Sequence, residues 1–196
     1  MNEPKIETFM RELCAQGRAM SLSLEQYSEA REAFVSHTQA PGLSNDRCFL
    51  AAQSILTCAA LVSKVLWTSS RAKDAGNERD RAELRMALGI TSLPALKSRR
   101  VRNSIEHFDD RLDNFFSNAE GSSTIAERII GPIDTITVGD IPVRYLRHLD
   151  LDDDTFTVLE DSVSLGDLTE AVDEVARKAE AWLQSNMPGM QTVRWL

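Results

Sequence analysis

The sequence is poor in the residues that mark several protein classes. Three cysteines in 196 residues is an odd number, and none stands in the paired CxxC spacing of a zinc site or redox centre. Cys48 and Cys58 fall on one expected helix, about 15 Å apart along its axis, too far for a disulfide. Cys14, Cys48 and Cys58 are therefore expected as free thiols that act as small core residues. Six prolines and nine glycines are too few for a disordered or collagen-like chain. The longest apolar stretch, Cys58 to Val62 with its neighbours, is short of a membrane span. Met1-Asn-Glu-Pro-Lys-Ile-Glu7 lacks the basic start and apolar run of a secretory signal, so a cytoplasmic protein away from membranes is expected. There is no GxxxxGK or GxGxxG to cradle a phosphate and no GxSxG elbow for a nucleophilic serine, and no cofactor or metal is expected.

Basic residues are also in deficit, with a net charge of −8, which argues against a general nucleic-acid coat protein. The charge is uneven, however. Residues 1–63 sum to −2, residues 64–102 to +6 and residues 103–196 to −12. One local segment is thus suited to an anion.

What is present, 42% apolar and 27% charged residues, suits one globular domain or one with a small appendage. The first half reads as helix after helix. Ile6, Phe9 and Leu13, then Leu22, Leu24, Tyr27, Ala30 and Phe34, recur at three-to-four spacing. Pro41-Gly42 breaks the pattern, and a longer helix is expected from a Ser44 or Asn45 cap to about Thr68, apolar over most of its surface. After a polar stretch from Ser69 to Gly76, a short helix from about Asp80 to Leu88 ends at Gly89. The next helix is expected to start between Ser92 and Ser98 and to run to about Phe116, with Val101, Ile105, Phe108, Leu112 and Phe115 on its buried stripe.

From Gly121 the texture changes. Thr135 to Val138, Gly139-Asp140 and Ile141 to Leu149 read as a hairpin whose glycine supplies a positive φ, and Thr155 to Glu160 reads as a third strand. An amphipathic helix capped near Ser164 closes the chain, and Met187 to Leu196, with Trp195, is a loose tail that docks on a partner or folds back. The expected class is mainly α: a helical bundle (1–120) with a small antiparallel β-meander and closing C-terminal helix (121–196) packed on it, as a second unit or within one domain.

The chemistry-bearing residues lie on the helix with the basic approach: Lys97-Ser-Arg99-Arg100-Val-Arg102-Asn103-Ser-Ile-Glu106-His107. With Val101, Ile105, Phe108 and Leu112 buried, Asn103, His107 and Asp110 face the polar side and Arg102 flanks it. Imidazole is the side chain suited to moving protons at an RNA 2′-hydroxyl and its leaving oxygen near neutral pH. A guanidinium meets the charge that develops on the phosphate, and a carboxamide orients without titrating. Arg102 lies about 140° around the helix from His107, so one helix holds a phosphate poorly. Two copies paired about a two-fold axis bring both His107 and both Arg102 residues to one cleft.

Arg102-Asn103-Ser-Ile-Glu-His107 resembles the Arg-polar-x-x-x-His motif of HEPN domains, helical modules that often serve as toxins of toxin-antitoxin pairs or in phage defence. The resemblance implies a HEPN-like helical bundle acting as a homodimeric, metal-independent endoribonuclease that leaves 2′,3′-cyclic phosphates. It implies His107 as general acid or base, Arg102 as the phosphate ligand and Asn103 as the polar residue after the arginine. The basic run itself makes Lys97, Arg99 and Arg100 the expected substrate-binding residues. RNA, a second copy and an antitoxin or other protein are the partners it implies. The motif subfamily that continues His-x-Tyr receives a nucleotide on that tyrosine; here Phe108-Asp109 follows.

A plainer reading of the same residues is a solvated helix face in which Arg102 and Glu106 form an i,i+4 pair, leaving a non-catalytic helical interaction module. Against it, the basic run occupies the N-terminal half of its helix, where the macrodipole disfavours cations. Asp150, Asp152 and Asp154 resemble the start of a calcium loop, but Thr155 stands at the glycine position and Asp161 at the bidentate one, so a polar turn is the expectation. His37 is expected to cap a helix C-terminus, and His148 to sit on an exposed strand face.

Overall fold

The structure is a computed structural model that describes residues 3–68, 75–98, 108–117, 124–132, 136, 138–141 and 143–187. It is mainly helical with one small sheet. In chain order the elements are α1 (Glu3–Val35), α2 (Pro41–Leu66), α3 (Ala75–Ala87), α4 (Pro94–Lys97) and α5 (Phe108–Ser117), then β1 (Thr124–Ile130), β2 (Val143–Asp150), β3 (Thr155–Val158) and β4 (Asp161–Ser164), and finally α6 (Leu165–Asn186).

The two apolar runs expected near the N-terminus form a single 33-residue helix, α1. Met10, Leu13, Met20, Tyr27 and Ala30 are its buried stripe, whereas Leu22 and Leu24, expected in the core, face outward. The helix ends in a Schellman motif at His37, whose φ is 53°: His37 N–H donates to the Phe34 carbonyl (3.3 Å) and Thr38 N–H to the Ala33 carbonyl (3.2 Å). His37 thus stands at the helix C-terminus as expected. Pro41 opens α2 rather than preceding it, because a proline at the first helical position lacks only an N–H that would be unpaired anyway. Ser44, the expected cap, lies inside the first turn and donates to the Ala40 and Pro41 carbonyls.

α2 is the core helix. Twelve of its residues are buried, among them Phe49, Ile55, Val62 and Leu66, and Phe49 meets Phe156 of β3 edge-on at 5.9 Å. It is the one described helix long and apolar enough to cross a membrane, although its apolar core stretch was expected to be too short; more than half of its most apolar window is packed inside the domain. α1 lies against both α2 and α6. An ideal Cβ on Gly17 would overlap Ala176 Cβ, so α1 and α6 approach as closely as backbone allows. One core cluster runs from Met10 through α2 to Leu149, Phe156 and Leu183, so the sheet and α6 pack on the helical core.

α3 ends as read from the sequence, with Gly89 at φ 61° in a second Schellman motif: its N–H donates to the Met86 carbonyl, and Ile90 N–H donates to that of Arg85. The helix expected to start between Ser92 and Ser98 is not continuous from Pro94. One turn, α4, closes at Ser98, whose ψ of 127° is extended. A helical stretch then ends at Ser117, one residue beyond the expected Phe116.

The sheet is mixed and has four strands in the order β1-β2-β3-β4. β2, β3 and β4 form an antiparallel meander in which β2 and β3 match the expected second and third strands and β4 was not expected. β1 was not expected, and it pairs with β2 in parallel, from Thr124↔Val143 to Ile130↔Leu149. A parallel neighbour needs a long return, and the twelve residues 131–142 supply it. The expected turn is present there in reduced form, as a single Val138↔Ile141 bridge around Gly139 at φ 56°. Ser164 caps α6 as expected, its hydroxyl accepting from Asp167 N–H (3.1 Å).

Candidate functional site

Arg99, Arg100, Arg102, Asn103 and His107 lie outside the described residues, as does the tail with Trp195. Lys97 is described: it is the exposed last residue of α4. What the structure does give is how the chain is held on either side of the motif. Leu93 and Leu96 are buried and seat α4 beside Leu56, Ala59 and Ser63 of α2 and Leu168 of α6. On the far side, α5 is clamped to the sheet by two arginines. Arg111 forms an ion pair with Asp161 of β4. Arg144 of β2 stacks on the Phe115 ring at 3.6 Å, donates to the Phe115 carbonyl (2.8 Å) and lies 3.5 Å from a Glu160 oxygen. A polar cavity of about 300 Å³ opens between α5 and the β3–β4 turn, walled by Arg111, Asn114, Phe115, Leu159, Glu160 and Asp161.

From sequence, Phe115 is expected only on a buried stripe and Asp161 only at the unmet bidentate position of a calcium-like loop; none of these residues is expected to clamp α5. Arg111 and Asn114 carried a readable signal, since they stand four and seven residues after His107 and share its helical spacing. Arg144, Glu160 and Asp161 carried none, because only the tertiary fold brings them to α5.

The other expected sites change character in the structure. His148 is buried, not exposed. Its Nε2 lies 2.6 Å from the Gly131 carbonyl, which can only accept, so that nitrogen is the donor and the ring pins the end of β1 to β2. Along that register the sheet goes from the buried His148 through the half-buried Thr157 to the exposed Ser162, so burial is confined to the β1–β2 side. The acids between β2 and β3 act on the backbone: Asp150 accepts from Asp152 N–H (2.9 Å) and Asp153 from Thr155 N–H (3.0 Å), the polar turn expected. Asp154, at φ 52°, accepts from the buried Tyr27 hydroxyl (2.8 Å), and its carbonyl accepts from Leu165 N–H at the start of α6 (2.9 Å). Arg31 completes the lock by donating to the Leu151 carbonyl (2.6 Å). Burial and the Asp154 carboxylate push the Tyr27 hydroxyl well above its ordinary value. A groove of about 410 Å³ runs beside this lock between α1 and the first turn of α6.

Among the described residues no three His, Cys, Asp or Glu side chains gather as a metal site would require. All three cysteines are free, and burial raises each thiol above its usual range, the wrong direction for a nucleophile.

Compared with protein-family models, curated proteins and solved structures, the chain matches none.

Proposed function

We propose that the chain is a HEPN-like, metal-independent endoribonuclease of toxin-antitoxin or phage-defence type. It works as a homodimer through Arg102, Asn103 and His107. The observation that carries this reading is the sequence Arg102-Asn103-x-x-x-His107 behind the basic approach Lys97, Arg99 and Arg100. The mainly helical fold is compatible with it, and the anchored α4 and clamped α5 give the intervening segment fixed ends.

In the proposed reaction the RNA 2′-oxygen attacks the adjacent phosphorus and the P–O5′ bond breaks. One His107 imidazole takes the 2′-hydroxyl proton, and the protonated imidazole of the partner subunit's His107 gives a proton to the 5′-oxygen. Arg102 meets the extra charge on the non-bridging oxygens with paired N–H donors, and Asn103 orients the phosphate. The products are a 2′,3′-cyclic phosphate and a free 5′-hydroxyl. The test is cleavage of a mixed RNA pool in excess chelator, with the product ends analysed: cyclic phosphate supports the reading, and 5′-phosphate ends contradict it.

A second reading, a non-catalytic helical interaction module, is favoured by one observation: Leu22, Leu43 and Leu50 stand exposed on the helical face. It predicts no cleavage of any RNA by the folded protein.

A further inference from the structure

We propose that the outer face of α2, with the adjoining edge of α1, is where a second copy of this chain docks, its α2 antiparallel to the first. Leu43, Leu50 and Leu61 follow one another at seven and eleven residues, which places them within about 20° of one line along the helix. They are 56%, 66% and 38% exposed. Leu22 of α1, 61% exposed, borders the same face. Glu29, seven residues on along the same line of α1, reaches across to Arg47 of α2 at 3.8 Å, which fixes the two helices side by side there.

α2 has no charged residue between Arg47 and Lys64, although Leu50, Thr57 and Leu61 in that span point to solvent. A solvated helix face of that length ordinarily carries charge, and an exposed leucine stripe rimmed by polar groups marks an association surface. α1 covers one flank of α2 and α4 another, and no described element covers this one.

Charge selects the occupant. Around Leu43 the rim holds Glu25, Glu29 and Asp46 against Arg47 and Arg128; around Leu61 it holds Arg11, Arg18 and Lys64 against Glu7 and Glu12. Among the described residues, one end is acidic by one charge and the other basic by one. An antiparallel two-fold pairing sets each end against its opposite, with Leu50 facing Leu61 of the partner subunit and the small Ser54 facing Thr57 of the partner subunit at the axis. A membrane is a poorer fit, because carboxylates rim the face and the chain is acidic overall, whereas cytoplasmic leaflets are anionic.

This face specifies the dimer of the proposed function, but its test does not involve RNA, so the two fail separately. Molar mass by light scattering from about 1 to 100 μM is expected to give a dimer for the wild type. Leu50→Glu and Leu22→Glu should raise the dissociation constant at least tenfold with unchanged circular dichroism. Met86→Glu, at an exposed α3 site off this face, should leave it unchanged. Lys64→Glu should also weaken the dimer with unchanged circular dichroism. A monomer at the highest concentration, a dimer indifferent to Leu50→Glu, or wild-type binding to phosphatidylcholine vesicles in place of self-association would each overturn the proposal.

Discussion

At the residue scale, the groups that hold this fold are polar side chains locking irregular backbone. Tyr27 bridges α1 to the β2–β3 turn through Asp154. Tyr27→Phe removes a buried hydrogen bond to a charged group and should cost about 1–2 kcal/mol, a fall in Tm of roughly 3–6 °C by calorimetry. Because the folded hydroxyl titrates above its unfolded value, its contribution is whole below about pH 10 and is lost as pH rises further. The gap between wild type and Tyr27→Phe should therefore close in alkali. Glu78 has the opposite sign. Thr68 and Arg85 donate to its carboxylate (2.7 and 3.0 Å) and hold it below the usual range. Its contribution is present above the ordinary carboxylate value and lost as pH falls through the folded one. Melting of wild type and Glu78→Gln should thus differ at pH 7 and converge in acid, below the ordinary carboxylate range. His148 shows what a local pattern misses: its partner, the Gly131 carbonyl, lies seventeen residues away, and nothing in Arg147-His148-Leu149 announces it.

At the scale of elements, helix ends were legible because their chemistry is local. Gly89 and His37 close helices with left-handed residues, and Ser164 caps α6. Starts that rest on proline were not, since Pro41 both breaks a preceding helix and opens a following one. β1 and its parallel register were illegible for another reason: Glu127-Arg128 interrupts apolar alternation, and parallel pairing is set by a distant strand. The closest helix contact, Gly17 on Ala176, also lacks a sequence signal. Gly17→Ala should gain intrinsic helix propensity yet lose about 1–3 kcal/mol through overlap, lowering Tm. Adding Ala176→Gly should recover most of that loss, and no recovery would show that the contact is not limiting.

At the scale of the whole molecule, three long helices and a mixed sheet share one core, and the leucine face of α2 is left outside it; Arg102 to His107 lie outside the described residues. The motif was legible as residue types and spacing; the clamps of Arg111 and Arg144 that seat α5 beside it were not, because they join residues 29 to 50 apart. Chemistry and assembly meet in the proposed dimer. The measurement that tests the central claim most directly is RNA cleavage by wild type, His107→Ala and Arg102→Ala in chelator, with each melting temperature taken in parallel. The account predicts cleavage by wild type alone, with all three melting within a few degrees of one another. Cleavage that persists in folded His107→Ala, or intact RNA with a folded wild-type dimer, would contradict it.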